Sequence, residues 1–389
     1  MRVKLKDIFD LQMGKTPSRS NLEYWNTTDY KWISIADLTK TSKYIFETKE
    51  YLSKSAIKDS GIKVIPANTV VMSFKLSIGK TAITKEDMYS NEAIMAFKDK
   101  HVINIIPEYI FYLFKYKNWE ECSNKAVMGK TLNKATLSEI EVEICSIEKQ
   151  RQIVNILDKI MSAVDGRKQE LQLLDELIKA RFVEMFGDPV ANDKGWKMKP
   201  LLDMGKCKNG MNFHYDDSGV EISCLGVGDF KVLSVIDNTK KLSIVSLNEM
   251  PSEEYLLKDG DIVFVRSNGN KDLVGRSLAI YPGKLPTTFS GFCIRYRIHD
   301  DEITVPYLLR VLKMESMRKK MAGRGANIQN LNQQILGTLV IPVPPIELQN
   351  QFVDFVRAID KSKFDTMTFA PIYDIINLYL HTHFYQGRR

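Results

Sequence analysis

The sequence is poor in the residues from which catalytic and metal sites are usually built. Its five cysteines are scattered and form no C-x-x-C pair, and its five histidines lack metal-ligand spacing. Neither a metal site nor a disulfide framework is therefore indicated, and buried thiols in a reducing compartment are expected. No Ser-His-Asp or Cys-His arrangement stands out, so no catalytic residue is assigned.

Long hydrophobic runs are missing as well. No stretch of 18 or more apolar residues occurs, so no membrane span is predicted. The first six residues, MRVKLK, lack the apolar core of a secretion signal, and a cytoplasmic location is expected. The 389 residues leave room for two or three domains. The net charge of +7 and pI near 8.9 are compatible with a polyanionic partner.

Short matches to catalytic motifs do not hold. Residues 226–228 (GVG) lack the third glycine of a dinucleotide loop. Residues 79–81 (GKT) lack the upstream glycine that a phosphate loop requires, and the E-x-K at residues 47–49 has no suitable Pro-Asp before it. An enzyme is therefore not indicated, although a nuclease or methyltransferase with an unrecognised site stays an alternative.

The most regular stretch runs from Glu148 to about Phe186. Its apolar residues recur in steps of three and four among charged residues, which is typical of the seam of a coiled coil. A helix of about 39 residues would be roughly 58 Å long at ~1.5 Å per residue, and it must bury its seam. The alternative is an ordinary long core helix. The seam residues, with those of a second helix described below, are Ile153, Leu157, Ile160, Val164, Leu171, Leu174, Ile178, Phe352, Val356 and Ile359.

The chain repeats itself once. Residues 146–154 (SIEKQRQIV) reappear 199 positions later as PIELQNQFV. Residues 65–72 (IPANTVVM) match LKDGDIVF at 257–264, and residues 4–10 (KLKDIFD) match KMKPLLD at 197–203. Several matches in the same order indicate a duplicated unit.

Each unit is predicted to be a mixed α/β domain followed by a long helix. A helix that begins near Pro107 in the first unit and near Pro306 in the second precedes the last strand of each domain. The predicted strands are Trp32–Ile35, Val70–Phe74, Thr81–Thr84, Ala93–Phe97, Glu141–Cys145, Asp261–Val265, Ser277–Tyr281, Phe292–Ile298 and Leu339–Val343.

These patterns divide the chain into four segments. They are a first domain (1–147), a central long helix (148–187), a second domain (188–345) and a C-terminal long helix (346–389). The first helix should end at the glycine and proline of residues 187–189, and the second should kink near Pro371. We expect the helices to pair antiparallel as a coiled coil with pseudo-two-fold symmetry and a domain at each end. A single compact globule is the alternative.

The loops between the predicted strands suit DNA. Arginine and lysine bind guanine edges and phosphates, whereas asparagine and glutamine suit adenine. A coiled-coil scaffold for protein partners alone is the other alternative. The candidate DNA-binding residues are Lys15, Thr16, Ser18, Arg19, Lys75, Lys80, Lys130, Lys134, Asn209, Asn212, His214, Tyr215, Arg266, Asn268, Asn270, Lys271, Arg276, Arg324, Asn327 and Gln329.

Several motifs together resemble the DNA specificity subunits of Type I restriction–modification enzymes. The likeness extends over essentially the whole chain. It rests on GKTPSR (14–19), EYW (23–25), WISIADL (32–38), SIGKTA (77–82), SNEA (90–93), IEKQRQIV (147–154), FVEMFGDP (182–189) and IELQ (346–349).

The resemblance implies a non-catalytic reader of double-stranded DNA. Each domain would be a target-recognition domain for one half of a bipartite, asymmetric site. The helices would set the spacing and dock two methyltransferase subunits, with restriction and translocase subunits added. S-adenosylmethionine, ATP and Mg are expected on those partners only, so no cofactor and no metal is expected on this chain.

Overall fold

A computed structural model describes residues 1–75, 77–119, 132–213, 218–230, 235–322 and 330–367. Their contacts form two compact units, with Met1–Gln169 in the first and Glu170–Met367 in the second. The division falls inside one long helix. The four segment boundaries expected from the sequence stay predictions.

The first unit contains a domain of short strands and helices followed by the first half of the long helix. Its strands are β1 (Arg2–Lys4), β2 (Phe9–Met13), β3 (Tyr30–Ile33), β4 (Tyr44–Ile45), β5 (Glu50–Leu52), β6 (Val70–Ser73), β7 (Thr81–Thr84), β8 (Tyr89–Ser90), β9 (Ile94–Asp99) and β10 (Glu141–Glu143). Its helices are α1 (Leu5–Ile8), α2 (Ile35–Lys40), α3 (Lys54–Ser60), α4 (Pro107–Tyr116), α5 (Lys134–Glu139) and the start of α6 (Ile147–Phe186).

The second unit repeats this series after the end of α6. Its strands are β11 (Lys197–Pro200), β12 (Gly205–Asn209), β13 (Val220–Leu225), β14 (Val235–Ile236), β15 (Ser243–Leu247), β16 (Asp261–Val265), β17 (Ser277–Ile280), β18 (Thr287–Phe289), β19 (Cys293–Ile298) and β20 (Val340–Val343). Its helices are α7 (Leu201–Met204), α8 (Val305–Lys313), α9 (Glu315–Ala322), α10 (Gln333–Gly337) and α11 (Ile346–Met367).

The sheets confirm the duplication. Among the described residues the first domain has a sheet of order β2-β9-β6-β7-β4, and the second has β12-β19-β16-β17-β14. A smaller sheet follows in each, β5-β3-β8 and β15-β13-β18, and a terminal pair, β1-β10 and β11-β20. Even the parallel pairs correspond, because β4 pairs with β7 as β14 does with β17. Fold class and repeat were therefore predicted correctly.

Local chemistry explains where the predicted and observed strands differ. Thr81–Thr84 and Asp261–Val265 have the predicted bounds, and each is buried throughout. The strand predicted to reach Ile35 ends at Ile33 instead, because Ser34 caps α2 and forms a reciprocal capping box with Asp37. An N-cap serine satisfies backbone donors that would otherwise lack a partner, so the chain turns there into a helix.

The long helix α6 confirms the prediction from the seam. It ends at Phe186, and the next residue, Gly187, has a left-handed backbone (φ 75°) and donates its N–H to the carbonyl of Val183 at 2.8 Å. A Cβ at Gly187 would lie 2.0 Å from Oδ1 of Asp193, so glycine is required by both space and conformation.

Helix α11 runs antiparallel to the second half of α6. Phe352, near the start of α11, lies against Phe182 and Phe186 near the end of α6, with ring centroids 5.3 and 5.6 Å apart. Further along α11, Lys363 Nζ lies 2.6 Å from Asp175 Oδ1. The antiparallel pairing is thus confirmed for the part within the second unit. The kink predicted near Pro371 lies outside the described residues.

The predicted seam residues divide between two hydrophobic cores. Ile153 and Leu157 are buried in the core of the first domain, and Ile160 packs against it. Ile178, Phe352 and Ile359 are buried in the core of the second domain, where Leu174 and Val356 pack at the edge. The helix therefore buries its apolar residues against the domains as well as against another helix. Val164 is also buried, and Leu171 is half-buried.

A repeated glutamine fastens each domain to the helix that follows it. Gln150 is fully buried; its Oε1 accepts the Ile106 N–H at 3.0 Å, and its Nε2 donates to the carbonyls of Asn104 and Cys145 at 3.0 and 2.9 Å. Gln349, 199 positions later, is bonded in the same way. Its partners are Thr304 N–H at 2.8 Å and the carbonyls of Glu302 and Pro344 at 2.8 and 2.9 Å.

Candidate nucleic-acid interface

Two loops that carry predicted candidates meet the β8–β9 turn at one place in the first domain. The chain leaving β2 approaches the β8–β9 turn so closely that a Cβ at Gly14 would lie 2.2 Å from the carbonyl oxygen of Asn91. Lys15 N–H donates to the Ser90 carbonyl at 2.8 Å, and Phe74 N–H donates to the Ala93 carbonyl at 2.9 Å. Candidates from residues 15–19 and 75–80 are therefore held around this turn.

Arg19 is held by tryptophans within its own domain. Its guanidinium carbon lies 3.7 Å from the ring centroid of Trp25 and 4.9 Å from that of Trp32, and Nη2 donates to Glu50 at 3.1 Å. The two indoles also fix the loop backbone, because Trp25 donates to the Ser18 carbonyl at 3.0 Å and Trp32 to the Lys15 carbonyl at 3.1 Å. Arg19 thus stabilises the loop directly, whatever it contacts outside the chain.

An acidic residue that sequence reasoning missed lies among these cations. Glu92 accepts the hydroxyl of Thr16, and its pKa is lowered first by this hydrogen bond and further by the charges of Lys75 and Arg19. It is therefore ionised at neutral pH. A carboxylate at such a surface can accept a hydrogen bond from the exocyclic amine of cytosine.

The other candidates of the first domain have different surroundings. Lys80 is exposed, Lys75 is half-buried over the ring of Phe74, and the Lys15 ammonium donates to the Ser60 carbonyl. Ser18 hydrogen-bonds Ser20 at 2.8 Å. Lys134 opens α5 and contributes to the lowered pKa of Asp10, whose main cause is the hydrogen bond from Lys98.

The second domain brings its candidates to the equivalent place. A Cβ at Gly210 would lie 2.1 Å from the Ser290 carbonyl oxygen, which repeats the close approach of Gly14. Asn212 is packed against Gly291, and Arg266 Nη1 donates to the Gly291 carbonyl at 3.4 Å. Asn209, at the end of β12, accepts the side-chain amide of Gln333 at 3.1 Å.

The β16–β17 connection carries the remaining described candidates. Asn268, Asn270 and Lys271 are exposed, and the two asparagines fold the loop by accepting backbone N–H groups two residues ahead at 2.8 and 3.1 Å. Arg276 donates through Nε to the Asp272 carbonyl at 3.1 Å.

A basic cluster beside this loop was also missed. Burial is the main cause that lowers the pKa of Lys313 to about 8, and repulsion from Arg310, Arg318 and Arg276 lowers it further. Arg318 also has a lowered pKa, chiefly through burial and then through Arg276, while its Nη2 donates to the Val274 carbonyl at 3.3 Å. The charge run from 318 to 320 was a signal for it, but the proximity of α8 and α9 to Arg276 could not be read from the sequence.

Six candidates lie outside the described residues, namely Lys130, His214, Tyr215, Arg324, Asn327 and Gln329.

Within the described ranges, no three His, Cys, Asp or Glu side chains are grouped so that they could bind a metal ion. No helix of those ranges combines the length and apolar character that crossing a membrane requires. Burial raises the pKa of the Cys207 and Cys224 thiols to about 12, so both stay protonated.

The first domain thus presents cations and hydroxyls, and the second presents cations and amides, on loops that a closely packed backbone holds. A sequence profile described as the Type I restriction modification DNA specificity domain matches residues 1–176 and 193–371. The chain belongs to this family of specificity domains.

Curated relatives agree with this assignment. The MjaIX specificity subunit of Methanocaldococcus jannaschii is 28% identical over 228 residues, which are 54% of this chain and 52% of that protein. The StySPI specificity subunit of Salmonella potsdam is 24% identical over 351 residues, covering 84% of this chain and 74% of that protein. The match thus spans about half the length of the first relative and about three quarters of the second.

Solved structures show the same fold. A Type I restriction–modification S subunit from M. genitalium aligns over 100% of this chain and 96% of its own, with a TM-score of 0.53 and 14% identity. A chain from a study of complex assembly and conformational transition of the Type I system aligns over 98% of this chain and 96% of its own, with a TM-score of 0.61 and 15% identity.

Proposed function

We propose that this chain is the non-catalytic DNA-reading subunit of a Type I restriction–modification complex. Each domain would read one half of a bipartite, asymmetric site. The observation that carries the proposal is the duplication itself: two domains share one strand order but present different loop residues. A duplicated framework with unlike loops suits two half-sites of unlike sequence.

The partners follow from the same proposal. The long helices would set the distance between the half-sites and dock two methyltransferase subunits, and restriction and translocase subunits would join that assembly in the cytoplasm. S-adenosylmethionine, ATP and Mg would be bound by the partners. The absence of a recognisable catalytic motif in the sequence supports this division of labour.

The decisive experiment is methylome sequencing of a host that carries the chain with its methyltransferase subunit. Methylation at one bipartite site is expected with both present and none with either alone. Methylation or cleavage by the purified chain would favour a stand-alone enzyme instead. DNA binding that does not weaken as salt is raised would favour a scaffold for proteins only, because phosphate contacts release counterions.

The spacing role has its own test. One heptad inserted into both long helices lengthens each by ~10.5 Å at 1.5 Å per residue. At ~3.4 Å per base pair, the gap between half-sites should grow by about three base pairs while both half-sites stay the same. An unchanged gap contradicts rigid spacing.

A further inference from the structure

The turn between β18 and β19 exposes a phenylalanine among the polar and basic candidates of the second domain. Phe292 is 59% exposed. Single exposed apolar side chains are common on protein surfaces, so exposure alone does not indicate a role in binding. The position of Phe292 beside predicted DNA-binding residues does indicate one.

Phe292 lies on a turn that two predicted DNA-binding residues, Arg266 and Asn212, contact from neighbouring segments. Its carbonyl accepts the Arg266 N–H at 2.7 Å, and the Arg266 side chain donates to the neighbouring Gly291 carbonyl at 3.4 Å. Asn212 packs so closely against Gly291 that a Cβ there would lie 2.0 Å from its Oδ1. A duplex bound by Arg266 and Asn212 would therefore meet the phenyl ring as well.

The turn is ordered by its own hydrogen bonds. Phe292 N–H donates to Ser290 Oγ at 3.3 Å, Gly291 N–H to the Met211 carbonyl at 2.7 Å, and Cys293 N–H to the Ser290 carbonyl at 2.8 Å. The ring has only two rotatable bonds, so holding it against a ligand costs little conformational entropy.

The framework does not need this ring. In the first domain the equivalent residue is Ala93, whose carbonyl accepts the Phe74 N–H at 2.9 Å just as that of Phe292 accepts from Arg266. Ala93 is only 7% exposed and completes the same strand pairing without an aromatic side chain. Phe292 is thus an addition to the surface rather than a requirement of the fold.

We infer that Phe292 makes apolar contact with the methyl group of a thymine in the half-site bound by the second domain. The inference rests on the proposed function. Phenylalanine cannot hydrogen-bond base edges, and the thymine methyl is the apolar group that the major groove displays. Arg266 and Asn212 supply polar contacts on either side of it, so the turn combines both kinds of readout.

The test uses the full chain with its methyltransferase subunits and duplexes that carry the methylome-derived site. Each thymine of the second half-site is replaced in turn by uracil, which removes only the methyl group. At one position the dissociation constant should rise about fourfold, the effect of burying one methyl group. Phe292→Ala should bind the thymine duplex at least fourfold more weakly and should not respond to that uracil. Phe292→Leu should keep part of the response.

Phe46→Ala is the matched control, because Phe46 is 58% exposed in the first domain and was not assigned to the interface. It should leave the affinities for the thymine duplex and for the uracil duplex unchanged.

The inference is overturned if no uracil weakens wild-type binding, if the half-site contains only G·C pairs, or if Phe292→Ala responds to uracil as the wild type does. Weaker binding by Phe292→Ala without any methyl dependence would indicate a wedge between base steps instead. Absence of methylation at a bipartite site would overturn the proposed function. Normal methylation, together with equal affinities for the thymine and uracil duplexes, would overturn this inference alone.

Discussion

The two domains share a backbone framework and differ in the charges placed on it. In the second domain the buried Asp261 accepts two hydrogen bonds from Arg297, both at 2.7 Å. At the equivalent edge of the first domain, Thr69 N–H donates to the hydroxyl of Thr84 at 3.0 Å. Asp261 and Thr69 occupy corresponding positions, so the same site takes part in a partly buried ion pair in one domain and in a neutral hydrogen bond in the other. Strand order and the glutamine contacts stay the same, so the framework tolerates unlike side chains wherever the backbone bonds are kept.

The largest expected effect concerns this ion pair. Asp261→Ala should lower the free energy of unfolding by about 3 kcal/mol, since the half-buried Arg297 and the Lys258 N–H lose the acceptor that the buried carboxylate provides. Thr84→Ala in the first domain should cost only about 1.5 kcal/mol, because neutral groups are left unpaired. Urea unfolding with hydrogen exchange would measure both. Equal losses of stability for Asp261→Ala and Thr84→Ala would contradict the difference between the ion pair and the neutral hydrogen bond. Asp261→Asn should lose an amount between the two.

The glutamine contacts should cost nearly as much and should be equal in both domains. Gln150→Ala and Gln349→Ala each leave three backbone groups, most of them only partly buried, without their side-chain partner, so each should lose about 2.5 kcal/mol of stability. Gln152→Ala and Gln351→Ala, at exposed positions two residues further on, are the matched controls and should change stability by less than about 0.5 kcal/mol. A large difference in stability between Gln150→Ala and Gln349→Ala in urea unfolding would show that the two glutamines do not play equivalent roles.

Sequence reasoning recovered features that depend on local pattern. The seam and the glycine at residue 187 predicted α6 nearly to the residue, and continuous β-rich stretches predicted β7 and β16. Of the strands in the smaller sheets, β3 was predicted, whereas β5, β8, β13, β15 and β18 were not. β8 and β5 have only two and three residues, and pairing with β3 from distant parts of the chain makes them strands.

The candidate interface was predictable by loop but not by contact. Arg19 was assigned from its residue type, whereas its position depends on Glu50, 31 residues away, and on two indole rings. Glu92 and Lys313 were missed because their significance lies in neighbours that the fold supplies.

The basic cluster of the second domain should make DNA binding depend on pH. The pKa of Lys313 is about 8, and a nearby phosphate would favour its protonated form. Binding would then take up a proton, so affinity should fall by up to about tenfold between pH 7 and pH 9. Lys313→Arg keeps its charge over this range and should show a much flatter profile in fluorescence anisotropy. Identical profiles for both proteins would place Lys313 away from the phosphates.

The smallest expected effect concerns Glu92 in the first domain. Glu92→Gln removes one negative charge beside Thr16 and Lys75, so affinity for DNA of unrelated sequence should rise about threefold at low salt. The gain should vanish at high salt, where exposed charges are screened. Glu148→Gln makes the same charge change at the start of α6 and should have less effect. An equal gain from both substitutions would mean that only net charge matters.

The middle of α6 has a mechanical consequence. Residues 165–169 are all exposed, and a Cβ added at Gly166 would meet nothing within 4 Å. Glycine inside a helix is about 1 kcal/mol less favourable than alanine, so the helical conformation of α6 is least favoured at its midpoint, where its one glycine lies. Thermal bending and transient fraying should concentrate there, and amide deuteration should be fastest at those residues. Stiffening the helix would require no more than one methyl group at Gly166.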